Sequence, residues 1–357
     1  MLTAQPQLNL LAQHAAEGQD LSAAEIEQAI HDLLEPGVSM DAKAEFLLCL
    51  ARKGETAREI ADFAILLRDL AVDPHIDLGI LGGSLLDTCG TGGDLSQTFN
   101  VSTASAFVLS AAGIPVAKHG NRSVTSKCGS ADVLEALGCR IDLLPSRMKE
   151  GVETLKLGFL FAPLYHKTFK TIHPVRELLA KQGKRSIFNL LGPLINPARP
   201  NIQIVGVYDP EVTEIYAQVL HLMKLKRATV LHGYDPGRKP CLDEISPFGP
   251  TRVTQLHSNG NMETFDIDPA IFNLQKTGIE ELRGGDPMGN ARIILDIFSG
   301  KEKGPRRDFL LLNASVGFVL ANKAGDMEEG IKKASELIDS GAVMEKLNAY
   351  RNFTQQA

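Results

Sequence analysis

The sequence predicts an α/β protein in two parts: a small all-helical N-terminal domain, and a larger α/β domain whose mostly parallel central sheet is flanked by helices. Three observations carry this. The first 72 residues repeat amphipathic, helix-length stretches opened by capping signals. From Leu85, short apolar runs bounded by Gly or Pro alternate with helical stretches, the pattern of parallel strands joined by crossover helices. The last third then ends in helices.

Each element has a local reason. Ser22-Ala-Ala-Glu25 and Thr56-Ala-Arg-Glu59 have capping-box spacing, in which a hydroxyl and a carboxylate satisfy free N–H groups of a first helical turn. Gly37 and Gly54 are expected helix stops. Ile26, Ala29, Ile30, Leu33 and Leu34 fall on one helical face; so do Phe46, Leu47 and Leu50, and in the next helix Ile60, Phe63, Leu66 and Leu67. The stretch Asp73–Gly83, with Pro74, Gly79, Gly82 and Gly83, is the expected linker. Strands are expected at Leu85–Asp87, Ile114–Ala117, Phe159–Phe161, Ile202–Tyr208, Ala228–His232 and Thr251–Leu256. Helices are expected near Ser102–Ala112, Ser130–Leu137, Arg147–Leu157 and Glu211–Leu222, and then near Asp286–Phe298, Asp308–Ala321, Met327–Ser340 and Val343–Tyr350. This places the helical domain at 1–76, joined by helices within about 168–190, and the α/β domain at 77–167 and 191–357.

Composition narrows the function classes. The chain of 357 residues is 44% apolar and 22% charged, ordinary for a globular protein, and it has no Trp. A net charge of −6 argues against a general nucleic-acid or anionic-membrane binder, so any anionic ligand must be met by local positive charge. Cys49, Cys89, Cys128, Cys139 and Cys241 are widely spaced and form no CxxC pair, which suggests neither a disulfide framework nor a zinc site. Met1–Asp20 is too polar for a signal peptide, and no apolar run reaches the roughly 18 residues of a membrane span. A reduced cytoplasm is the expected compartment.

Four segments carry chemistry. Leu85-Leu-Asp-Thr-Cys-Gly90-Thr-Gly-Gly-Asp94 runs a strand into a glycine-rich loop before a helix. Glycine lets backbone N–H groups approach an anion with no Cβ in the way. The segment is neither a Walker A loop nor a dinucleotide fingerprint. A tight strand–helix turn would explain the glycines alone. Asp94 and the short polar side chains Thr98, Asn100, Ser102 and Thr103 favour a ligand carrying phosphate together with hydroxyls or a metal. The second segment, Lys118-His-Gly-Asn-Arg-Ser-Val-Thr-Ser126, places two cations, an amide and hydroxyls in one loop, which suits phosphate better than carboxylate. A solvated basic loop is its plainer reading. In the third, Cys241-Leu-Asp243-Glu244, the adjacent carboxylates could hold Mg²⁺, which takes one or two protein carboxylates plus phosphate oxygens. In the fourth, His166–Arg185, the residues Lys167, Lys170, Arg176, Lys181, Lys184 and Arg185 face a single acid, Glu177. That patch suits either a second anionic substrate or a solvated helix face.

Together these segments resemble the anthranilate phosphoribosyltransferase family. The matching motifs are Gly90-Thr-Gly-Gly-Asp94, Phe99-Asn-Val-Ser-Thr103, Lys118-His-Gly-Asn-Arg122, Gly129-Ser-Ala-Asp-Val-Leu-Glu-Ala-Leu-Gly138 and Phe188-Asn-Leu-Leu-Gly-Pro-Leu-Ile-Asn-Pro197, continued by Leu242-Asp-Glu244 and Lys303-Gly-Pro-Arg-Arg-Asp308. The resemblance implies a nucleoside phosphorylase/phosphoribosyltransferase-like fold with the active site in the cleft between two domains, usually in a homodimer. It implies Mg²⁺-dependent transfer of a phosphoribosyl group from 5-phosphoribosyl pyrophosphate to the amine of anthranilate. By position, the donor would be held by Gly90, Gly93, Asp94, Thr98, Asn100, Ser102, Thr103, Lys118, His119, Gly120, Asn121, Arg122, Ser123, Thr125, Ser126 and Ser130. Ser102, Asp243 and Glu244 would serve Mg²⁺. Gly90, His119, Asn121, His166, Arg176, Gly192 and Pro193 would meet or line the approach of anthranilate, and Lys118, Arg176, Asp243 and Glu244 would carry catalysis.

The acceptor side departs from the family pattern. Lys167-Thr-Phe-Lys170 follows His166 where Pro-Ala-Met-Lys is usual, the Arg176–Arg185 spacing is longer, and Pro240-Cys241 stands where Asp-Gly is usual. Two alternatives stay open on sequence: the same donor site with another small acceptor, and a non-catalytic relative that engages nucleic acid through the 166–185 patch. A nucleoside phosphorylase using free phosphate is disfavoured, because the lysine- and serine-bearing phosphate signature of that family is missing.

Overall fold

The computed structural model describes residues 5–93, 96–123 and 127–356, with the side chains of Gln5 and Pro6 left aside. Of the expected donor residues, Asp94, Thr125 and Ser126 therefore lie outside the described residues.

Four helices open the chain: α1 (Gln5–Ala16), α2 (Ala23–Leu34), α3 (Met40–Lys53) and α4 (Ala57–Asp69). Both capping boxes form, Ser22 with Glu25 and Thr56 with Glu59. Glu59 does more than cap. Its buried carboxylate also accepts from the Leu21 amide at 2.9 Å and from Lys53 Nζ at 2.8 Å, tying α4 to the start of α2 and the end of α3. Gly54 ends α3 with φ +85°, where a side chain would be strained. Gly37 does not end α2. The helix stops at Leu34 because Glu35 precedes Pro36, and a residue before proline avoids the helical region.

The sheet is built from β1 (Leu86–Gly90), β2 (Val116–Gly120), β3 (Leu157–Phe161), β4 (Ile202–Gly206), β5 (Arg227–Tyr234), β6 (Pro240–Leu242), β7 (Thr251–Leu256) and β8 (Met262–Ile267). Its order is β3-β2-β1-β4-β5-β7-β8, with β6 paired to the end of β5. The first five strands in this order are parallel; β6, β7 and β8 run antiparallel. Sequence periodicity gives no sign of β6 or β8. β6 is three residues long and opens on a proline, and β8 is an edge strand whose residues are nearly all exposed, so no apolar alternation marks it.

Between the strands run α5 (Val101–Ala111), α6 (Ser130–Ala136), α7 (Pro145–Leu155), α8 (Ala162–Tyr165), α9 (His173–Lys181), α10 (Phe188–Leu191) and α11 (Val212–Leu222). The C-terminal part adds α12 (Ile279–Leu282), α13 (Pro287–Phe298), α14 (Pro305–Leu320), α15 (Met327–Asp339) and α16 (Ala342–Gln355). One apolar core gathers α5, α6, α13, α14 and α16 around Val116, Phe159, Ile202 and Ile204. A second joins α1–α4 to Val175 and Leu179 of α9, to Phe188–Ile195, and to α11 lying on Val205 and Val230. The alternating inward residues of β4, Ile204 to one core and Val205 to the other, show a strand covered on both faces, as a parallel sheet requires. No described helix is long and apolar enough to cross a membrane.

The connectivity fixes where a ligand can sit. From β1 the chain goes to β2 on one side, whereas β4, on the other side of β1, leads away to β5. This reversal of winding leaves a crevice outside the carboxyl ends of β1 and β4, the place where open α/β sheets bind ligands.

Candidate active site at the switch point

The two strands that flank the crevice end in register on glycines, Gly90 opposite Gly206. Both glycines are required by the segment that follows β6. A Cβ on Gly90 would stand 2.2 Å from Asp243 Oδ2, and one on Gly206 would stand 1.4 Å from the Asp243 carbonyl oxygen. Asp243 thus lies directly over the strand ends, and its carboxylate accepts from the Gly92 amide at 2.9 Å. Gly92 and Gly93 have φ of +67° and +81°, a turn that glycine alone adopts without strain. From the other side, Asn313 of α14 holds the segment through both backbone groups of Ile245, at 3.0 and 3.3 Å. Glu244 and Ser102 line the same crevice.

Lys118 lies beneath the crevice and does not line it. Its ammonium is buried and donates to the Thr88 carbonyl and, at 3.2 Å, to Ser102 Oγ. Burial pushes its pKa down; Asp87 first, and Glu244 and Asp243 behind it, pull the other way. Thr103 is likewise turned inward, sharing a small internal cavity with Lys118 and Phe107. Thr98 bridges to Arg283, and Asn100 is clamped between the Asn290 side chain (3.1 Å) and the Cys128 carbonyl (3.2 Å). Arg122 is paired with Asp132 and Glu135, while Asp132 also accepts from the amides of Ser123 and Gly129. Ser130 donates to the Asn121 carbonyl at 3.3 Å, and a Cβ on Gly120 would stand 2.1 Å from its oxygen. The basic loop is thus scaffolded by α6, with Arg122 committed to the scaffold.

A cavity of about 540 Å³ adjoins the crevice, and Cys89 and Gly90 line both. It collects His119, Gly120, Asn121, His166, Arg176, Gly192 and Pro193, which brings every residue expected on the acceptor side into one space. Lys170 of the basic patch also lines it, as do Phe169 and His173, which no motif marked as site residues. Rings run along one wall as a ladder of edge-to-face contacts: His119–His166 and His166–Phe169 at 5.1 Å, then Phe169–Phe188 at 6.1 Å. Arg176 is exposed, with its guanidinium 5.5 Å from the Phe188 ring. Among the described residues no third acid, His or Cys joins Asp243 and Glu244 as a metal cluster. An adjacent carboxylate pair with one hydroxyl, over strand ends stripped of Cβ atoms, fits a hard cation completed by ligand oxygens.

Burial keeps both histidines neutral, pushing His119 down to about 3 and His166 to about 4; contacts with the Gly192 and Ile195 backbones offset little of this. The folded state then binds fewer protons than the unfolded chain, so these histidines cost no stability above about pH 6.5 and a growing amount as pH falls toward 4. For His166 the loss reaches on the order of 3 kcal/mol. His166→Phe is expected to flatten the decline, read as denaturant-unfolding free energies at pH 7 and pH 4.5. Superimposable pH dependence in the two proteins would contradict the buried neutral ring.

Comparison with known proteins came to the same family. Residues 82–344 match the α/β domain of a glycosyl transferase family, and residues 11–71 match its helical bundle domain. The chain is 45% identical to the anthranilate phosphoribosyltransferase of Desulfatibacillum aliphaticivorans over 97% of its own length and 98% of the relative's. It is 46% identical to that of Desulfosudis oleivorans over 94% and 95%. Among solved structures, the Thermus thermophilus anthranilate phosphoribosyltransferase superposes with a TM-score of 0.85 at 35% identity, covering 97% of this chain and 99% of that one. The Saccharomyces cerevisiae enzyme in complex with PRPP and Mg superposes with a TM-score of 0.87 at 28% identity, covering 98% of each chain. A complex of that yeast enzyme with 4-fluoroanthranilate gives 0.86 at 27% identity, covering 99% of each. With its helical bundle, its parallel sheet and its full-length likeness to these enzymes, the chain belongs to the anthranilate phosphoribosyltransferase family.

Proposed function

We propose that this chain transfers the phosphoribosyl group of 5-phosphoribosyl pyrophosphate to the amine of anthranilate, a step of tryptophan biosynthesis. One observation carries the reading: the acidic, glycine-floored crevice and the aromatic, basic cavity meet at Cys89–Gly90, so a donor in one would present its reacting carbon to an acceptor in the other. The bond from ribose C1 to pyrophosphate breaks, a C1–N bond forms, and the amine gives up one proton. An aromatic amine is largely unprotonated near neutral pH, and the neutral histidines of the cavity wall are consistent with a reaction needing no strong base.

The donor would lie along Gly90–Asp94 and Lys118–Ser126, with Thr98, Asn100, Ser102 and Ser130 supporting the two loops. Asp243, Glu244 and Ser102 would hold Mg²⁺. That ion, when bound, offsets the diphosphate charge and helps it leave. Lys118 would add positive charge from below, through Ser102 and the Thr88 carbonyl, rather than by direct contact. Arg176 would pair with the anthranilate carboxylate and orient the ring, while Asn121, His119, His166 and the Gly192-Pro193 turn bound it. We take the functional domains to be a helical unit, 1–76 with 168–190, and the remaining α/β unit; the core shared by α1–α4 and α9 supports this grouping. A homodimer in the cytoplasm completes the proposal. The dimer follows from the family resemblance, and five free cysteines fit a reducing compartment.

The test is direct. Enzyme, donor, Mg²⁺ and anthranilate are mixed and the anthranilate fluorescence followed; a signal that stays constant while pyrophosphate also fails to appear would defeat the proposal. Arg176→Ala is expected to raise the acceptor KM about 10- to 100-fold, the worth of a charge-assisted carboxylate contact, with the donor KM little changed. A defect confined to the donor would remove Arg176 from the acceptor site.

A further inference from the structure

We infer that Asp87 is a positioning residue that locks the Gly192–Asn196 turn against the strand ends and so sets one wall of the acceptor cavity; this rests on the acceptor reading of that cavity. Asp87 is the second residue of β1 and is fully buried. A fully buried carboxylate is costly unless every oxygen is used, and an aliphatic side chain would serve a parallel strand better. Here both oxygens are used. One accepts from Asn196 Nδ2 at 2.9 Å and from Gln203 Nε2 at 3.3 Å; the other accepts from the His119 amide at 3.4 Å. Its nearest countercharge is the buried Lys118.

The donors that reach Asp87 reach outward as well. Gln203 Nε2 also donates to the Pro193 carbonyl at 2.7 Å. Asn196 Nδ2 also donates to the Ala117 carbonyl of β2 at 2.8 Å, and its own oxygen accepts from the Ala198 amide at 2.9 Å. The carboxylate is therefore the hub where β1, β2, β4 and the turn are joined. That turn supplies Gly192, Pro193 and Ile195 to the cavity, and the held amide belongs to His119, which lines the same cavity. Neither Asp87 nor Gln203 lines the cavity, so both act through the backbone they hold.

The experiment uses the full chain carrying Asp87→Asn, which keeps the shape but turns one acceptor into a donor facing two amides. Three readings are taken: anthranilate binding by its fluorescence, donor binding by calorimetry with Mg²⁺, and hydrogen exchange across Gly192–Ala198. Anthranilate Kd is expected to rise about tenfold with donor Kd within about twofold, and exchange of the turn to speed up by about tenfold. Gln203→Met, a second route to the same turn, is expected to weaken anthranilate in the same sense, and the double variant to be no worse than the stronger single one. An unchanged anthranilate Kd and unchanged exchange in Asp87→Asn would overturn the inference, as would equal loss of both ligands. If the wild-type protein itself binds no anthranilate, the acceptor reading fails, while faster exchange of the turn still supports the locking role and unchanged exchange still overturns it.

Discussion

Replacing Asp243 and Glu244 together with alanine is expected to lower kcat by about a thousandfold or more while the protein stays folded. The size of the effect follows from charge. Pyrophosphate leaves carrying several negative charges into a crevice lined by no Lys or Arg among the described residues, with Lys118 buried beneath its floor. Without the two carboxylates, no charged group remains among the described residues lining the crevice to hold a divalent ion against the diphosphate. The stability cost is small by comparison. The Asp243 hydrogen bond to the Gly92 amide is worth about 1 kcal/mol, and the segment stays fastened by Asn313 through the Ile245 backbone. Steady-state rates across a Mg²⁺ titration, together with a melting curve, check both halves. Unaltered rates in the double variant would sink the metal role; a collapsed melting curve would recast the pair as structural.

Sequence made the strands that matter legible because they are buried on both faces and end on glycine or polar clusters, as at Gly90 and Gly120. It also made the acidic pair visible, since adjacent carboxylates stand out. What it hid were residues acting through others. Gln203 is a lone polar side chain within the apolar run Ile202–Val205, Asp87 directly follows Leu85–Leu86 and Asn313 directly follows Phe309–Leu312, and that apolar setting was their one available signal. Asn290 gave less, because its task is to clamp Asn100, almost two hundred positions away in sequence. The setting of Lys118 was hidden for a related reason. Its place in a basic segment suggests a hand reaching for phosphate, whereas the strand pleat points it inward, where its ammonium donates to Ser102 and the Thr88 carbonyl. Arg122 resembles it: the acids that occupy its guanidinium sit ten and thirteen residues further on, and only the return of α6 across the loop brings them there. The clustering of His119, His166, Phe169 and Phe188 is tertiary in the same sense.

Gly206→Ala is expected to abolish turnover and to destabilise the protein, and it separates shape from charge at the same point. The added methyl carbon would stand 1.4 Å from the Asp243 carbonyl oxygen and 2.4 Å from its carbonyl carbon, far inside van der Waals contact. The atoms in the way are backbone, so no rotamer change relieves the overlap. Either the end of β4 must withdraw from Gly90 and Leu231, its partners in the sheet, or the 243–246 segment must lift away. Lifting is opposed on the far side, where Gly233 packs against the Glu244 carbonyl and Ser246. Overpacking at such a site costs roughly 3 kcal/mol, which for a chain of this size lowers Tm by about 5 °C. Gly90→Ala provides the contrast. Its methyl would meet Asp243 Oδ2, the free end of a side chain that can swing aside, so Tm should hold while kcat falls by about a hundredfold as the carboxylate leaves its place. If Gly206→Ala turns over normally, the Asp243 segment does not rest on the strand ends, and the crevice is not the reaction site. If Gly90→Ala alone keeps full activity, the segment is seated as described but its carboxylate plays no part in the reaction.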